Sequence, residues 1–395
     1  MSWGLVKLGS VCSLVNGDRG KNYPSKDALM TEGIPFINAG NLTDLNSINF
    51  KGHNFISEER YELLSNGKIE LNDILFCLRG SLGKFAIVDK SLLKGAIASS
   101  LVIIRAGKNI NGDYLKNYLK SNLCFLQINK FENGAAQPNL SAKDLKDFEI
   151  PLPYPDDPEK SLKVQKRIAA ILDKADGIRR KRQQAIQLAD DFLRSVFLDM
   201  FGDPVTNPKG WEVKPVGEIC SCIVPGRDKP KSFTGETPWV TTNDLEHLDV
   251  TSESKKFIGL SGFEISEVKA KIVPRNSVLM TCVGDLGTVS IAGNDMVINQ
   301  QLHAFLPNEY IDSSFLSFAL SFQKGFMMRM ASSTTLPYMN KTICNSVPLI
   351  NPPFEVQKIF GDIVKKNRVI KSKFNSSIQE PLFEILSQKA FKGEL

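Results

Sequence analysis

The second half of the chain repeats the first, and this internal duplication restricts the possible folds more than any other feature of the sequence. The stretch that begins at Trp3, WGLVKLGSVCSLVNGDRGK, is echoed by the stretch that begins at Trp211, WEVKPVGEICSCIVPGRDK. Cysteine, arginine and lysine recur at one constant offset between the two. A repeat of this length indicates that one structural unit has been built twice.

Five further matches follow in the same order in both halves. They pair residues 34–42 (IPFINAGNL) with 237–245 (TPWVTTNDL), 72–84 (NDILFCLRGSLGK) with 276–288 (NSVLMTCVGDLGT), 97–104 (IASSLVII) with 298–305 (INQQLHAF), 137–153 (QPNLSAKDLKDFEIPLP) loosely with 336–350 (LPYMNKTICNSVPLI), and 164–172 (VQKRIAAIL) with 356–364 (VQKIFGDIV). Each match alone is weak. Their shared order is strong evidence for duplication.

Each copy reads as a globular head followed by a proline-rich segment and a long helix. Short apolar runs broken by Gly, Asn, Pro and Asp predict strands, with one helix among them, so each head is expected to be a mixed α/β domain and the chain to be α+β. The predicted boundaries are residues 1–155 for head one, 156–202 for the central helix, 203–352 for head two and 353–395 for the C-terminal helix.

Both helices carry apolar residues at alternating spacings of four and three, which is typical of a coiled-coil seam. The predicted seam residues are Val164, Ile168, Ile171, Ala175, Ile178, Arg182, Ala185, Ala189, Phe192 and Val196, then Val356, Phe360, Ile363, Asn367, Ile370 and Phe374. The order head, helix, head, helix favours antiparallel pairing. Such pairing would create a pseudo-two-fold axis and hold the heads at a fixed separation.

The composition excludes several classes of protein. The chain has 395 residues, a formal net charge of +6, seven scattered cysteines and three histidines that are far apart in sequence. This cysteine pattern is that of a reduced protein without a disulfide framework. We expect no metal site, no membrane segment and a cytoplasmic location, while the small positive charge is compatible with a polyanionic partner.

The tetrapeptide Asn351-Pro352-Pro353-Phe354 resembles the catalytic motif of amino-methyltransferases. It falls, however, where the first copy has its own proline-rich segment before a helix, and proline suits a helix entry. The glycine loops of such enzymes have no counterpart, because GSLG (residues 80–83) and GDLG (residues 284–287) lie between strand-like runs and predict hairpin turns. A structural role for the tetrapeptide is therefore favoured.

Two segments resemble one family, the specificity subunits of type I restriction–modification enzymes. They are residues 192–219 (FLRSVFLDMFGDPVTNPKGWEVKPVGEI), similar to the family's central junction, and residues 386–395 (LSQKAFKGEL), similar to its C-terminus. The chain departs from the family at Val164 and Val356, where Glu is usual, and at Pro381.

The resemblance implies two target-recognition domains joined by long helices. It also implies that the chain has no catalytic activity and binds no cofactor. It implies double-stranded DNA as ligand and two methyltransferase subunits bound to the helices and proline-rich segments. Restriction and translocase subunits would then join that core.

DNA half-sites one helical turn apart are separated by about 34 Å, which a helical rod of about 60 Å can span. The two heads differ mainly in their loops, so an asymmetric two-part target is expected. Candidate base readers are Asn38, Asn41, Arg79, Gln137 and Asn139 in head one, and Thr241, Asn243, Asp285 and Tyr338 in head two. Lys84 is a further candidate for DNA binding. Candidate phosphate contacts are Arg19, Lys21, Arg227 and Lys229.

Two alternatives stay open at this point. The chain could be a solitary DNA amino-methyltransferase that uses residues 351–354, or a coiled-coil adaptor whose heads bind proteins. Binding of S-adenosylmethionine would favour the first, and absence of duplex binding would favour the second.

Overall fold

The computed structural model describes residues 3–52, 54–132, 138–226, 228–332, 336–375 and 382–395. The chain forms two compact units, the first made of Met1–Arg182 with Ile378–Leu395 and the second of Gln183–Ser377. Each unit contains a mixed α/β head, and a long helix lies between the heads in sequence, so the predicted α+β class is confirmed. The units divide inside that helix rather than at its ends.

The described part of the first unit has three small sheets. A two-stranded antiparallel sheet pairs Trp3–Lys7 with Glu149–Pro153. A four-stranded antiparallel sheet has the order Cys12–Asn16, Leu101–Ala106, Ile74–Cys77 and Phe85–Ile87. A three-stranded sheet places Ile34–Ile37 between Asn54–Ile56 and Ala96–Ile97. The helices of this head are Leu8–Val11, Glu58–Leu63, Gly112–Lys120, Asn122–Phe131 and Ala142–Lys146, with short 3-10 turns at Lys26–Ala28 and Ala39–Asn41.

The second unit repeats this plan. Val213–Pro215 pairs with Pro348–Ile350. A five-stranded sheet has the order Ser221–Ile223, Leu302–Leu306, Val278–Thr281, Val289–Ala292 and Val250–Thr251, and a four-stranded sheet has the order Gly259–Leu260, Thr237–Val240, Met296–Ile298 and Ile272–Val273. The helices of this head are Val216–Ile219, Gly262–Glu267, Ser313–Phe322, Lys324–Met330 and Lys341–Asn345, with a 3-10 turn at Thr242–Asp244.

The glycine-containing turns of the two heads are hairpin turns, as predicted. In the first, Gly80 and Gly83 have φ of 80° and 79°, and in the second, Gly284 and Gly287 have φ of 79° and 80°. Backbone in this left-handed region strains any residue with a Cβ, which explains why glycine occupies these places in both copies.

Within the described ranges, three further helices complete the units. The central helix is Pro158–Phe201, the second helix is Phe354–Asn375 and the terminal helix is Leu382–Lys392. The central helix begins with proline in its first turn, where a missing N–H has no cost. The predicted C-terminal helix over residues 353–395 is thus present as two described helices, and Pro381 lies outside the described residues.

One buried glutamine fixes the start of each long helix to its own head. Gln165 accepts a hydrogen bond from Asn111 N at 2.8 Å and donates to Asn109 O at 3.1 Å. Gln357 accepts from Asp312 N at 3.0 Å and donates to Tyr310 O at 3.2 Å. Both side chains are fully buried. The repeated Val-Gln-Lys of the sequence therefore marks a structural joint.

In the second unit, the second helix packs antiparallel to the end of the central helix. Phe360 lies 5.3 Å from Phe197 between ring centroids, whereas Asn367, further along, donates to Ala189 O at 3.2 Å. Asn367 is 7% exposed, as expected of a polar seam residue. In the first unit, Phe391 of the terminal helix contacts Tyr114 of the head at 5.4 Å.

Among the described residues, the predicted seam is wrong at three positions. Ile178, Phe192 and Ile370 were expected inside it, but they are 43%, 53% and 52% exposed. The central helix instead buries Leu193, Phe197 and Phe201, a stripe spaced by four that packs into the core of head two. Packing against a globular head therefore rotates this end of the helix away from strict heptad contacts.

Ion pairs between helix and head have opposite orientation of charge in the two units. In the first unit, Asp176 of the central helix pairs with Lys120 of the head at 2.6 Å and is 1% exposed. In the second unit, Arg368 holds the corresponding helical position and pairs with Asp249 of the head at 3.2 Å. The central helix carries the acidic partner in the first unit, and the second helix carries the basic partner in the second unit. The charge on each helix is therefore complementary to the charge on its own head.

The tetrapeptide at residues 351–354 forms the entry to the second helix. Asn351 N donates to Glu212 O at 2.8 Å, Pro352 O accepts from the side chain of Gln357 at 2.8 Å, and the helix begins at Phe354. These contacts support the structural interpretation of the motif.

Candidate nucleic-acid interface

In the first unit, three chain segments meet at residues 98–100, which we call the central loop. Ala98 N donates to Ile37 O at 2.7 Å, Leu78 N donates to Ser100 O at 2.9 Å, and Leu140 N donates to Leu78 O at 2.9 Å. These backbone bonds place the residues that follow or precede them side by side. Three predicted base readers, Asn38, Arg79 and Asn139, are thereby brought to one edge of the head.

Arg79 is the most available side chain at this edge. It lies in the turn between strands Ile74–Cys77 and Phe85–Ile87, forms an isolated β-bridge with Asn139 and is exposed. Its guanidinium makes no ion pair with any residue that the structure describes. An unpaired guanidinium held on a rigid hairpin suits bidentate hydrogen bonding to a guanine edge.

Lys84, at the other end of the same turn, is already paired. Its ammonium lies 2.9 Å from Asp44, a carboxylate with 94% of its side chain exposed. An exposed pair of this kind contributes about 0–1 kcal/mol and can be exchanged for a phosphate at little cost.

The loop that carries Arg19 and Lys21 packs directly on the central loop. A Cβ on Gly17 would lie 2.8 Å from the carbonyl oxygens of Ile97 and Ala98, so only glycine permits this approach. Asp18 accepts hydrogen bonds from Gly20 N at 2.7 Å and Ser65 N at 2.8 Å, and these bonds lower the pKa of its carboxyl below the ordinary value. Arg19 and Lys21 are exposed on this anchored loop.

Asn41 was expected to be a base reader, and its geometry argues against this role. Its side chain is 5% exposed and accepts a hydrogen bond from Asn38 N at 2.9 Å, while Asn38 in turn accepts from Gly40 N at 2.8 Å. The same cap recurs in head two, where Asp244 accepts from the backbone N–H and the hydroxyl of Thr241, each at 2.7 Å. The Asn41 side-chain oxygen and the Thr241 hydroxyl are thus already engaged in these turns.

In the second unit, equivalent backbone hydrogen bonds bring three chain segments together at residues 299–301, which form its central loop. Asn299 N donates to Val240 O, Cys282 N to Gln301 O and Met339 N to Cys282 O, each at 2.9 Å. Tyr338 forms an isolated β-bridge with Val283 and is 45% exposed. Asn243 is also exposed.

Asp285, a further candidate in head two, is held by its surroundings. Lys324 donates to it at 2.6 Å and Thr288 at 3.2 Å, and the ion pair with Lys324 lowers the pKa of the Asp285 carboxyl. A carboxylate so engaged is less available to accept a hydrogen bond from cytosine.

Sequence reasoning missed the polar central loop of head two. Asn299, Gln300 and Gln301 occupy the positions of Ala98, Ser99 and Ser100 in head one. Gln301 Oε1 accepts from Asn299 Nδ2 at 3.1 Å, and Gln300 Nε2 donates to Gly226 O at 3.1 Å. The contrast between IASSL and INQQL was visible in the alignment of the repeats and could have identified these amides.

The remaining candidates divide into two groups. Gln137 and Arg227 lie outside the described residues. Lys229 is exposed and lines a cavity of about 460 Å³ together with Gln300 and Gln301. Across the described ranges, no cluster of three potential metal ligands occurs and no helix is long and apolar enough to cross a membrane.

Comparison with known proteins agrees with this architecture. The family model for the type I restriction modification DNA specificity domain matches residues 2–188 and again residues 208–380. The MjaIX specificity subunit of Methanocaldococcus jannaschii is 24% identical over 198 residues, covering 47% of this chain and 44% of that protein. The EcoR124I/EcoR124II specificity subunit of Escherichia coli is 26% identical over 195 residues, covering 47% and 46%. Each match thus spans under half of the relative's length.

Solved structures show the same fold over the whole chain. The S subunit of a type I restriction–modification system from M. genitalium is 17% identical, covers 99% of this chain and 96% of its own, and has a TM-score of 0.57. A chain from a structural study of the assembly of a type I R-M system is 19% identical, covers 100% and 98%, and has a TM-score of 0.52. With two matches of the family model that together cover most of its length, the chain belongs to the family of type I restriction–modification DNA specificity domains and carries two of them.

Proposed function

We propose that this chain is the non-catalytic, DNA-reading specificity subunit of a type I restriction–modification complex. Each head would read one half of an asymmetric two-part site, with the long helices setting the spacer. The observation that carries this proposal is that equivalent backbone hydrogen bonds surround the central loop of each head, while the side chains at equivalent positions differ between the heads. A shared scaffold with divergent loops is what two different reading surfaces require.

The chemistry of the two edges supports different half-sites. Head one presents Arg79, which suits guanine, where head two has Val283. Head two presents the amides of Gln300 and Gln301, which suit adenine, where head one has two serines. The expected target therefore combines a guanine-containing half with an adenine-containing half.

Phosphate contacts would come from the basic loops that pack beside each central loop. Arg19 and Lys21 in head one and Lys229 in head two are exposed. Such contacts position a protein on the duplex without reading sequence, and they make affinity fall steeply with salt.

The partners follow from the same proposal. Double-stranded DNA is the ligand, two methyltransferase subunits supply the methylation chemistry, and restriction and translocase subunits complete the complex in the cytoplasm. The use of residues 351–354 as a helix entry supports a chain that is not itself a methyltransferase.

Selection from a randomised duplex library, followed by sequencing, tests the proposal. The full chain, prepared with its methyltransferase subunits, should enrich a two-part motif with an unspecified spacer. A single contiguous motif, or no enrichment over bulk DNA, would refute it.

Arg79→Ala tests the assignment of the head-one reader. Loss of one bidentate contact should reduce discrimination at one base position of one half-site by about 1–3 kcal/mol, or about 5- to 150-fold, and leave the other half-site unchanged. The matched control is Lys108→Ala, an exposed cation beyond the opposite end of the strand that follows the central loop. If Arg79→Ala weakened binding to all sequences equally, Arg79 would be a phosphate contact.

A further inference from the structure

Head two contains an open cavity at the edge of its candidate reading surface. The cavity is about 460 Å³, within the range of small-molecule sites. Its walls come from the strand that carries Trp239, the loop that carries Lys229 and Phe233, the turn before Lys271, and the central loop with Gln301. Lys229, Gln300 and Gln301 also belong to the proposed reading surface, but contact with the groove and backbone of an intact duplex does not require a cavity of this volume.

One wall of the cavity is aromatic. Phe233 lies 5.9 Å from Trp239 between ring centroids, with the ring planes tilted by 54°, and Phe233 is 39% exposed. In head one the corresponding strand carries Phe36, which is 5% exposed and packs in a closed cluster with Ile34, Ile56 and Tyr61. The aromatic surface is therefore open in head two and filled in head one.

The rim of the cavity combines positive charge with amide groups. Lys229 and Lys271 are exposed and make no ion pair with residues of the described ranges, while Asp228 contributes one carboxylate. Gln301 and Asn299 are held together by the hydrogen bond between their side chains. Aromatic rings, ammonium groups and amides together match a base, its phosphate and its hydrogen-bonding edge.

We propose that this cavity binds a single nucleotide. The base lies against Trp239 and Phe233, its edge faces the amides of the central loop, and its phosphate contacts Lys229 and Lys271. Stacking of one base on an aromatic side chain contributes about 1–3 kcal/mol. The nucleotide can be an unstacked residue of bound DNA or a free mononucleotide, because both present the same chemistry.

Calorimetric titration of the full chain tests the proposal, with three probes: deoxynucleoside monophosphates, the matching deoxynucleosides, and a duplex with one bulged adenosine compared with the same duplex without the bulge. Monophosphates should bind saturably, with Kd in the millimolar range or tighter, and more tightly than deoxynucleosides. A preference for the bulged duplex identifies DNA as the source. Saturable monophosphate binding without that preference identifies free nucleotide. No saturable binding of monophosphate and no preference for the bulge overturns the proposal.

Two variants and a control tie the result to the cavity. Trp239→Leu should abolish nucleotide binding. Lys271→Ala, at the rim, should weaken monophosphate binding about 3- to 10-fold and leave deoxynucleoside binding unchanged, which separates a binding role from misfolding. Lys256→Ala, at an exposed lysine that does not line the cavity, is the control. Equal affinities of Lys271→Ala and Lys256→Ala would refute the site. Failure of sequence-specific duplex selection would instead count against the proposed function, because monophosphate binding does not depend on it.

Discussion

A buried histidine should make the second unit sensitive to mild acid. His303 lies on strand Leu302–Leu306, opposite Met280, and is 3% exposed. Its Nδ1 has no hydrogen-bond partner among the described residues. Burial, with a smaller contribution from the nearby Lys341, lowers the pKa of His303 from 6.5 to about 4. The corresponding residue of head one, Val102, is buried and cannot titrate.

The sign and size of the effect follow from this pKa. The unfolded chain takes up a proton near pH 6.5, whereas the folded chain resists it until about pH 4. Stability is therefore fully present above about pH 6.5 and falls as the pH drops toward 4. The whole loss is about 3 kcal/mol, and about 2 kcal/mol of it should occur between pH 7 and pH 5. That is a large fraction of the stability of an ordinary domain.

His303→Val gives the test, because it installs the head-one residue at the equivalent position. Hydrogen–deuterium exchange of strand Leu302–Leu306 reports the free energy of opening of the second unit in the intact chain. The wild-type value should fall by about 2 kcal/mol from pH 7 to pH 5, and the variant should lose most of this dependence. His247→Gln is the comparison variant: burial also lowers the pKa of His247, and its Nδ1 accepts a hydrogen bond from Val289 N, so this variant should lose part of the dependence but keep the share that His303 contributes. Equal pH dependence in wild type and His303→Val would refute the reasoning.

Two further substitutions test the joints between helices and heads. Gln357→Leu leaves one N–H and two carbonyl groups without their hydrogen-bond partners, so it should destabilise the second unit by about 3 kcal/mol. Urea unfolding measures this loss, with Gln187→Leu at an exposed position as the control. A urea midpoint that differs from that of the control by under about 0.2 M would contradict the prediction. Asp176→Asn removes the carboxylate that pairs with Lys120, so it should lower the stability of the first unit by about 2–4 kcal/mol. Thermal unfolding at pH 7 measures this loss, with Asp191→Asn at an exposed position of the same helix as the control. A loss no larger than that of the control would contradict the prediction.

Features that occur in both copies of the repeat could be predicted from the sequence. The two heads, the hairpin glycines, the helix entries and the polar seam residue Asn367 all follow from comparing one copy with the other. Positions that agree between copies report shared backbone geometry. Gln165 and Gln357 are a clear case, because the glutamine at this repeated position makes equivalent hydrogen bonds to its own head in both copies.

Tertiary packing accounts for what the sequence did not predict. Phe192 and Ile370 fit the heptad spacing, but the large aromatic core of head two pulls the neighbouring stripe of the helix inward instead. Asn41 has the side chain of a base reader, but its burial and its hydrogen bond to Asn38 N become visible only in the folded turn. Gln300 and Gln301 lie on a loop that backbone hydrogen bonds place beside the hairpin turn, and these bonds are visible only in the folded chain.

The way the units interleave along the chain has a consequence for synthesis. Gln183–Ser377 is one continuous stretch, so the second unit can fold as soon as it leaves the ribosome. The first unit begins earlier but needs Phe383 and Phe391 to cover Tyr114 and its neighbours. The first unit, whose translation begins first, can thus complete its folding only after the second unit has been synthesised. A nascent chain that stops near residue 377 would carry a finished second unit beside a first unit with a bare aromatic surface, a state that quality-control proteases and chaperones are suited to detect.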